Sequence, residues 1–128
     1  MKLLLDTHIW LWTLHDPRRL GKRLLRELSN EENELWLSPI STWEALTLHV
    51  KGRVNLGSDL REWLAQATAG TREAPLTHEI ALAARQLPLH QDPADRILAA
   101  TAQVLDLVLA TADQRLLGLG EIRTIANR

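Results

Sequence analysis

Residues 93–117 read PADRILAATAQVLDLVLATADQRLL, and this stretch decides the fold. Pro93 to Leu105 reads as a helix, with Pro93 at the first helical position, where its missing N–H costs nothing. Leu107 to Ala110 is apolar and too short for a helix, so it reads as a buried strand. Ala112 to Leu117 reads as a further short helix. The same alternation runs outward from there. Lys2 to Leu5 is a short apolar strand, and Thr7 to Leu14 a helix broken by Asp16-Pro17. Leu20, Leu24, Leu25 and Leu28 predict an amphipathic helix over 18–29. Leu35 to Leu37 is a strand. Ser41 opens a helix to Lys51 that Gly52 ends. Asp59 to Ala69 is helical, Glu73 to Leu76 a strand, and Thr77 to Leu87 a helix stopped by Pro88. Ile122 to Ile125 is the last strand. Strands alternating with helices predict an α/β fold: a mostly parallel central sheet with helices on both faces.

The chain has 128 residues, which fits one domain over 1–128. It has no Cys, which excludes disulfides and thiolate zinc sites. Leu3-Leu4-Leu5 is too short for a secretory signal, and no run approaches the roughly 20 apolar residues of a membrane span. The expectation is a soluble cytoplasmic protein with no membrane partner. Fifteen basic and sixteen acidic residues leave a net charge of −1, which argues mildly against nucleic-acid binding. The basic residues are unevenly spread, however: Arg18, Arg19, Lys22, Arg23 and Arg26 crowd one segment.

Four acids fall where ligands bind in open parallel sheets, beyond the carboxyl ends of strands. Asp6 ends the first strand. Glu44 and Asp95 lie in first helical turns, and Asp113 follows the Leu107–Ala110 strand. Three of them have a structural alternative. Ser41-Thr42-Trp43-Glu44 matches a capping box. Asp92 and Asp95 resemble another, and the helix dipole alone favours an acid at Asp113. Asp6 has no such local reason. If the four converge, their repulsion is about 4 kcal/mol per pair at 4 Å and an effective dielectric near 20. They would then need protons or a cation. Oxygen ligands without Cys or paired His select Mg²⁺ or Mn²⁺.

Leu3-Leu4-Leu5-Asp6-Thr7-His8, Ser41-Thr42-Trp43-Glu44, the run from His90 to Ala102, and Leu109-Ala110-Thr111-Ala112-Asp113 together resemble PIN domains. The resemblance is strongest to the VapC-type toxins of bacterial toxin–antitoxin pairs, and it covers nearly the whole chain. It implies a three-layer α/β/α sandwich, a Mg²⁺ or Mn²⁺ cofactor, and endonucleolytic cleavage of RNA. It also implies a homodimer neutralised by a cognate antitoxin. By position, Asp6, Glu44, Asp95 and Asp113 match the family's acidic quartet. Asp6, Asp95 and Asp113 are the expected metal ligands, with Thr111 in support. Asp92 is expected mainly as a helix cap beside the metal.

The basic cluster, Lys51, Arg53 and Arg96 are candidates for RNA phosphates. The cluster's alternative is a solvated helix face, and that of Arg96 is a pair with a site carboxylate. His8, two residues beyond Asp6, could reach the substrate, but a packing or surface role is expected. Trp10, Trp12 and Trp43 are expected in the core or a dimer contact; any exposed near the rim could stack a base. The apolar content of helices 41–51 and 59–69 makes them the candidate dimer face. A haloacid-dehalogenase-type phosphatase needs a second Asp two residues after the first, and position 8 is His. A non-catalytic binding module on the same fold is the other alternative, and its mark would be a missing quartet acid.

Overall fold

Leu3, Leu4 and Leu5 are all buried although successive strand residues face opposite ways, which requires a strand covered on both faces. In the computed structural model, which describes residues 1–128, this strand is β1 (Lys2–Leu5), and it forms the centre of a five-stranded sheet. On one side lie β2 (Glu34–Leu37) and then β3 (Thr71–Glu73); on the other lie β4 (Val108–Thr111) and then β5 (Arg123–Ala126). Every pairing is parallel, with Leu4 opposite both Trp36 and Leu109.

Seven helices cover the sheet: α1 (Thr7–His15), α2 (Lys22–Ser29), α3 (Pro39–Val50), α4 (Leu60–Ala67), α5 (His78–Gln86), α6 (Pro93–Val104) and α7 (Gln114–Leu117). Leu3, Leu5, Val108 and Ala110 pack with Ile9 and Trp10 of α1 and Leu24 of α2. Leu4 and Leu109 point the other way, onto Ile80 of α5, Leu98 and Ala99 of α6 and Leu116 of α7. The result is the expected three-layer sandwich. The strand order β3-β2-β1-β4-β5 reverses direction between β1 and β4, so a crevice opens beyond their carboxyl ends. Asp6 and Asp113 both emerge there.

Three of the differences from expectation have a cause in the tertiary structure. The helix predicted over 18–29 is a 3₁₀ turn at Pro17–Arg19 followed by α2, with Leu20 extended between them. The break lies where the end of the chain docks: Leu24 N–H donates to the Arg128 carbonyl (3.0 Å) and Gly21 N–H to the Asn127 side chain (2.7 Å). A Cβ at Gly21 would lie 1.6 Å from the Arg128 carbonyl carbon, so only glycine admits this approach. β3 begins at Thr71 rather than Glu73, because Gly70 at φ +81° turns the chain directly out of α4's C-terminus. It stops early because its only partner, β2, ends at Leu37, whose carbonyl accepts the last ladder bond from Ala74 N–H (2.9 Å). Finally, α3 starts two residues before Ser41. Ser38 is its cap, accepting from Ile40 N–H at 3.1 Å, and Pro39 is its first residue.

Candidate active site

Asp6 continues β1 by one residue, its N–H bonding Ala110 O at 3.0 Å, and then caps α1. Its Oδ1 accepts from Thr7 N–H (2.7 Å) and its Oδ2 from the Thr111 hydroxyl (2.6 Å). The sequence reading gave Asp6 no local structural reason; the structure supplies one as a helix cap. Asp6 is only 9% exposed, and burial pushes its pKa up against the lowering effect of those two bonds. Thr111 Oγ1 in turn accepts from Asp113 N–H at 3.0 Å, so one hydroxyl ties the ends of β1 and β4 together.

The capping-box reading of Glu44 is overturned. With α3 starting at Pro39, Glu44 stands in the second turn and Ser41 is buried. Glu44 instead accepts from the Thr7 hydroxyl, which also lies 2.9 Å from Ser41 Oγ. Burial raises the Glu44 pKa, and the charges of Asp6, Asp95 and Asp92 raise it further.

Asp92 caps α6 as expected, its Oδ1 accepting from Ala94 N–H (3.0 Å) and Asp95 N–H (3.4 Å). Asp95 does not bond back to its own helix start. Its Oδ2 lies 2.7 Å from His90 Nε2 and 3.7 Å from an Arg115 nitrogen. Burial raises its pKa as well. Asp113 is the cap of α7, where Arg115 donates from its backbone (2.9 Å) and from its guanidinium (3.1 Å). The guanidinium bond holds the Asp113 pKa below the usual range.

Asp6, Glu44, Asp92, Asp95 and Asp113 all line one open cleft of about 440 Å³, together with His8, Trp12, Ala112 and Arg115. The quartet does converge. His90, Asp92 and Asp95 each place a ligand atom within 4.8 Å of the others. At that separation two carboxylate charges repel by roughly 3–4 kcal/mol at an effective dielectric of 20. Five acids facing one guanidinium form a hard-oxygen donor set, which fits a Mg²⁺- or Mn²⁺-class cation.

Arg96 is corrected: it reaches neither phosphate nor site carboxylate. It is 8% exposed, and its guanidinium donates to the backbone carbonyls of Ala84, Leu87, Leu89 and His90. Arg18, Lys22, Arg23 and Arg26 are solvent-exposed and do not line the cleft, nor do Lys51 and Arg53 beyond α3. Arg19 comes nearest, with its guanidinium 4.4 Å from the centre of the Trp12 ring. Trp10 is core, Trp12 is a cleft wall, and Trp43 is 63% exposed. Arg115 and His90 are not picked out as site residues from the sequence, and Trp12 is so only on the condition that it lies exposed near the rim. For Arg115 the available signal was an arginine two residues after a capping acid. For His90 it was a histidine two residues before one.

Residues 3–122 match the PIN domain family. Ribonuclease VapC22 of Mycobacterium tuberculosis (strain ATCC 25618 / H37Rv) is 33% identical over 116 residues, covering 89% of this chain and 88% of that protein. VapBC2 from Rickettsia felis, solved bound to a DNA fragment from its promoter, superposes with a TM-score of 0.74 at 14% identity over 98% of both chains. DNA-bound VapBC from Salmonella typhimurium gives 0.73 at 18% identity, covering 100% of this chain and 99% of the other. At these identities the solved structures share the fold.

Proposed function

The chain belongs to the PIN domain family, and from that premise we propose that it is a divalent-metal-dependent endoribonuclease. It forms a single PIN domain over 1–128 and acts in the cytoplasm as the toxin of a VapBC-type toxin–antitoxin pair. Asp6, Glu44, Asp95 and Asp113 are the catalytic carboxylates. The observation that carries this is electrostatic. Burial raises the pKa of Asp6, Glu44 and Asp95 in a cleft that opens to solvent. Carboxylates crowded together and partly buried in this way disfavour one another's ionised form, the condition that a bound cation relieves.

Asp6, Asp95 and Asp113 would hold Mg²⁺ or Mn²⁺, with Glu44 and Asp92 beside them. When bound, the metal supplies Lewis acidity toward the phosphodiester and a lowered water pKa. The protein's part is to hold the carboxylates ready. Thr111 orients Asp6, Thr7 orients Glu44 and His90 orients Asp95. These second partners commonly carry 10- to 100-fold effects of their own. Arg115 is the one Lys or Arg side chain lining the cleft, and its pairing with Asp113 holds it beside Asp95.

A cognate antitoxin and a second copy of the chain are the proposed protein partners. Trp43 (63% exposed) and Val50 (83%) on α3 and Leu60 on α4 support a dimer through those helices. No helix is long and apolar enough to cross a membrane.

Purified protein should cleave RNA with Mg²⁺ and lose activity at least about 100-fold in EDTA or as Asp6→Asn or Asp95→Asn. Cleavage surviving all three treatments overturns the mechanism. Calorimetry showing no metal binding overturns the metal centre.

A further inference from the structure

We infer that His8, Trp12 and Arg19 form a binding site for an unpaired nucleobase of the RNA, on the wall of the cleft beside the carboxylates. The inference rests on the ribonuclease reading for what is cut. It adds how the strand is held. Helix α1, capped by Asp6, presents His8 and Trp12 four residues apart, hence on one face. Both line the cleft, with ring centres 6.0 Å apart and planes tilted by 53°. Trp10, in the same helix, is 1% exposed, as a purely structural indole would be. Trp12 is half-buried and open to the cleft.

Arg19 makes the wall more than an aromatic edge. Its guanidinium lies over the Trp12 ring at 4.4 Å. Arg18 pairs with Asp16 and Arg115 with Asp113, whereas Arg19 has no carboxylate within 4 Å and its guanidinium donates no hydrogen bond within the chain. It rests against the indole with its donor fork open. Such a plane, like an indole or imidazole face, is what unstacked RNA bases lie against.

The charge balance gives this wall a task. The cleft floor is acidic and repels a polyanion until a cation offsets its charge, so contacts at the rim add affinity for RNA that the floor does not supply. Base stacking supplies it with little dependence on sequence, and a nearby guanidinium adds a phosphate contact. Trp12 lies six residues beyond Asp6, about 9 Å along the helix axis. A base held there therefore belongs to a nucleotide flanking the scissile phosphate. A paired base has its faces covered in the duplex, so the site selects single-stranded segments.

The test uses fluorescein-labelled single-stranded RNA about 12 nucleotides long, with versions carrying an abasic residue at each position in turn. Binding is read by anisotropy and cleavage by kcat and KM. Trp12→Leu and Arg19→Gln should each weaken binding and raise KM by about 5- to 150-fold, with a smaller change in kcat. Trp12→Phe should restore most of the loss. One abasic position next to the cut should weaken wild type and cost Trp12→Leu nothing further. Thermal melts check folding, and Arg19→Gln, an exposed change, serves if Trp12→Leu does not fold. Wild type that binds through Trp12 but does not cut overturns the ribonuclease reading and leaves the stacking site standing. Wild type that cuts while the Trp12→Leu and Arg19→Gln variants keep its KM and binding overturns the stacking site, including where those variants lose only a protein partner. Wild type that neither binds nor cuts overturns both.

Discussion

At Asp6 burial raises the carboxyl's pKa while Thr7 and Thr111 hold both oxygens in place. Glu44 and Asp95 are raised by burial in the same way. For these three acids the folded pKa lies above the unfolded one. Between the two values the native chain therefore binds more protons than the unfolded chain, and stability falls as pH rises through that interval. Asp113 runs the other way: its lowered pKa contributes stability above the unfolded value that is lost as pH falls. That loss lies below the unfolded value, so above it the three raised acids set the sign. In EDTA the melting temperature should be higher near about pH 5 than near about pH 7.5, and Mg²⁺ should raise it mainly at the higher pH. Asp6→Asn should raise the metal-free melting temperature at neutral pH and flatten this dependence, since Asn caps a helix as well as Asp. A metal-free Asp6→Asn variant less stable than wild type at neutral pH would count against the account. Asp6 was legible in the sequence because an acid follows a run of buried leucines. Its bond to Thr111, 105 residues away, was not.

At the scale of elements, the α5–α6 connection shows how a buried cation serves an acidic site without entering it. Arg96 sits in the first turns of α6 and ties down four carbonyls from Ala84 to His90. That holds the loop carrying His90 and Asp92 beside Asp95. Arg96→Met should destabilise the protein by at least about 3 kcal/mol in urea unfolding, because each abandoned carbonyl is left unsatisfied. It should also weaken Mg²⁺ binding, and Arg96→Lys should recover only part of either loss. An unchanged metal affinity would separate the loop from the site. Spacing alone suggested a phosphate contact for Arg96, because adjacency to Asp95 in sequence says nothing of direction. Successive helix residues diverge by about 100°, so Arg96 points inward where Asp95 points to the cleft. The start of α3 was misread for a related reason. Both Ser38 and Ser41 are competent caps, and the choice depends on where β2 delivers the chain.

Across the whole molecule, the proposed dimer accounts for apolar surface that the fold leaves outside. Trp43→Glu should shift the protein toward monomer in sedimentation velocity with its melting temperature nearly unchanged, whereas an unaltered sedimentation coefficient would move the interface elsewhere. The sequence by itself determined the alternation of strands and helices and the apolar run of β1, and, with the family resemblance, it pointed to four acids at one rim. These follow from hydrophobic period and from residues just beyond strand ends, both local properties of the chain. Only the tertiary structure decided that β1 lies between β2 and β4, that Asp6 and Asp113 share Thr111, and that Arg96 turns away from the cleft. It also decided that Trp12 and Arg19 stand at the rim and that the rest of the basic cluster, Arg18, Lys22, Arg23 and Arg26, does not. Those outcomes depend on which side chains meet across the reversal in strand order, and no spacing along the chain encodes the direction in which a side chain points.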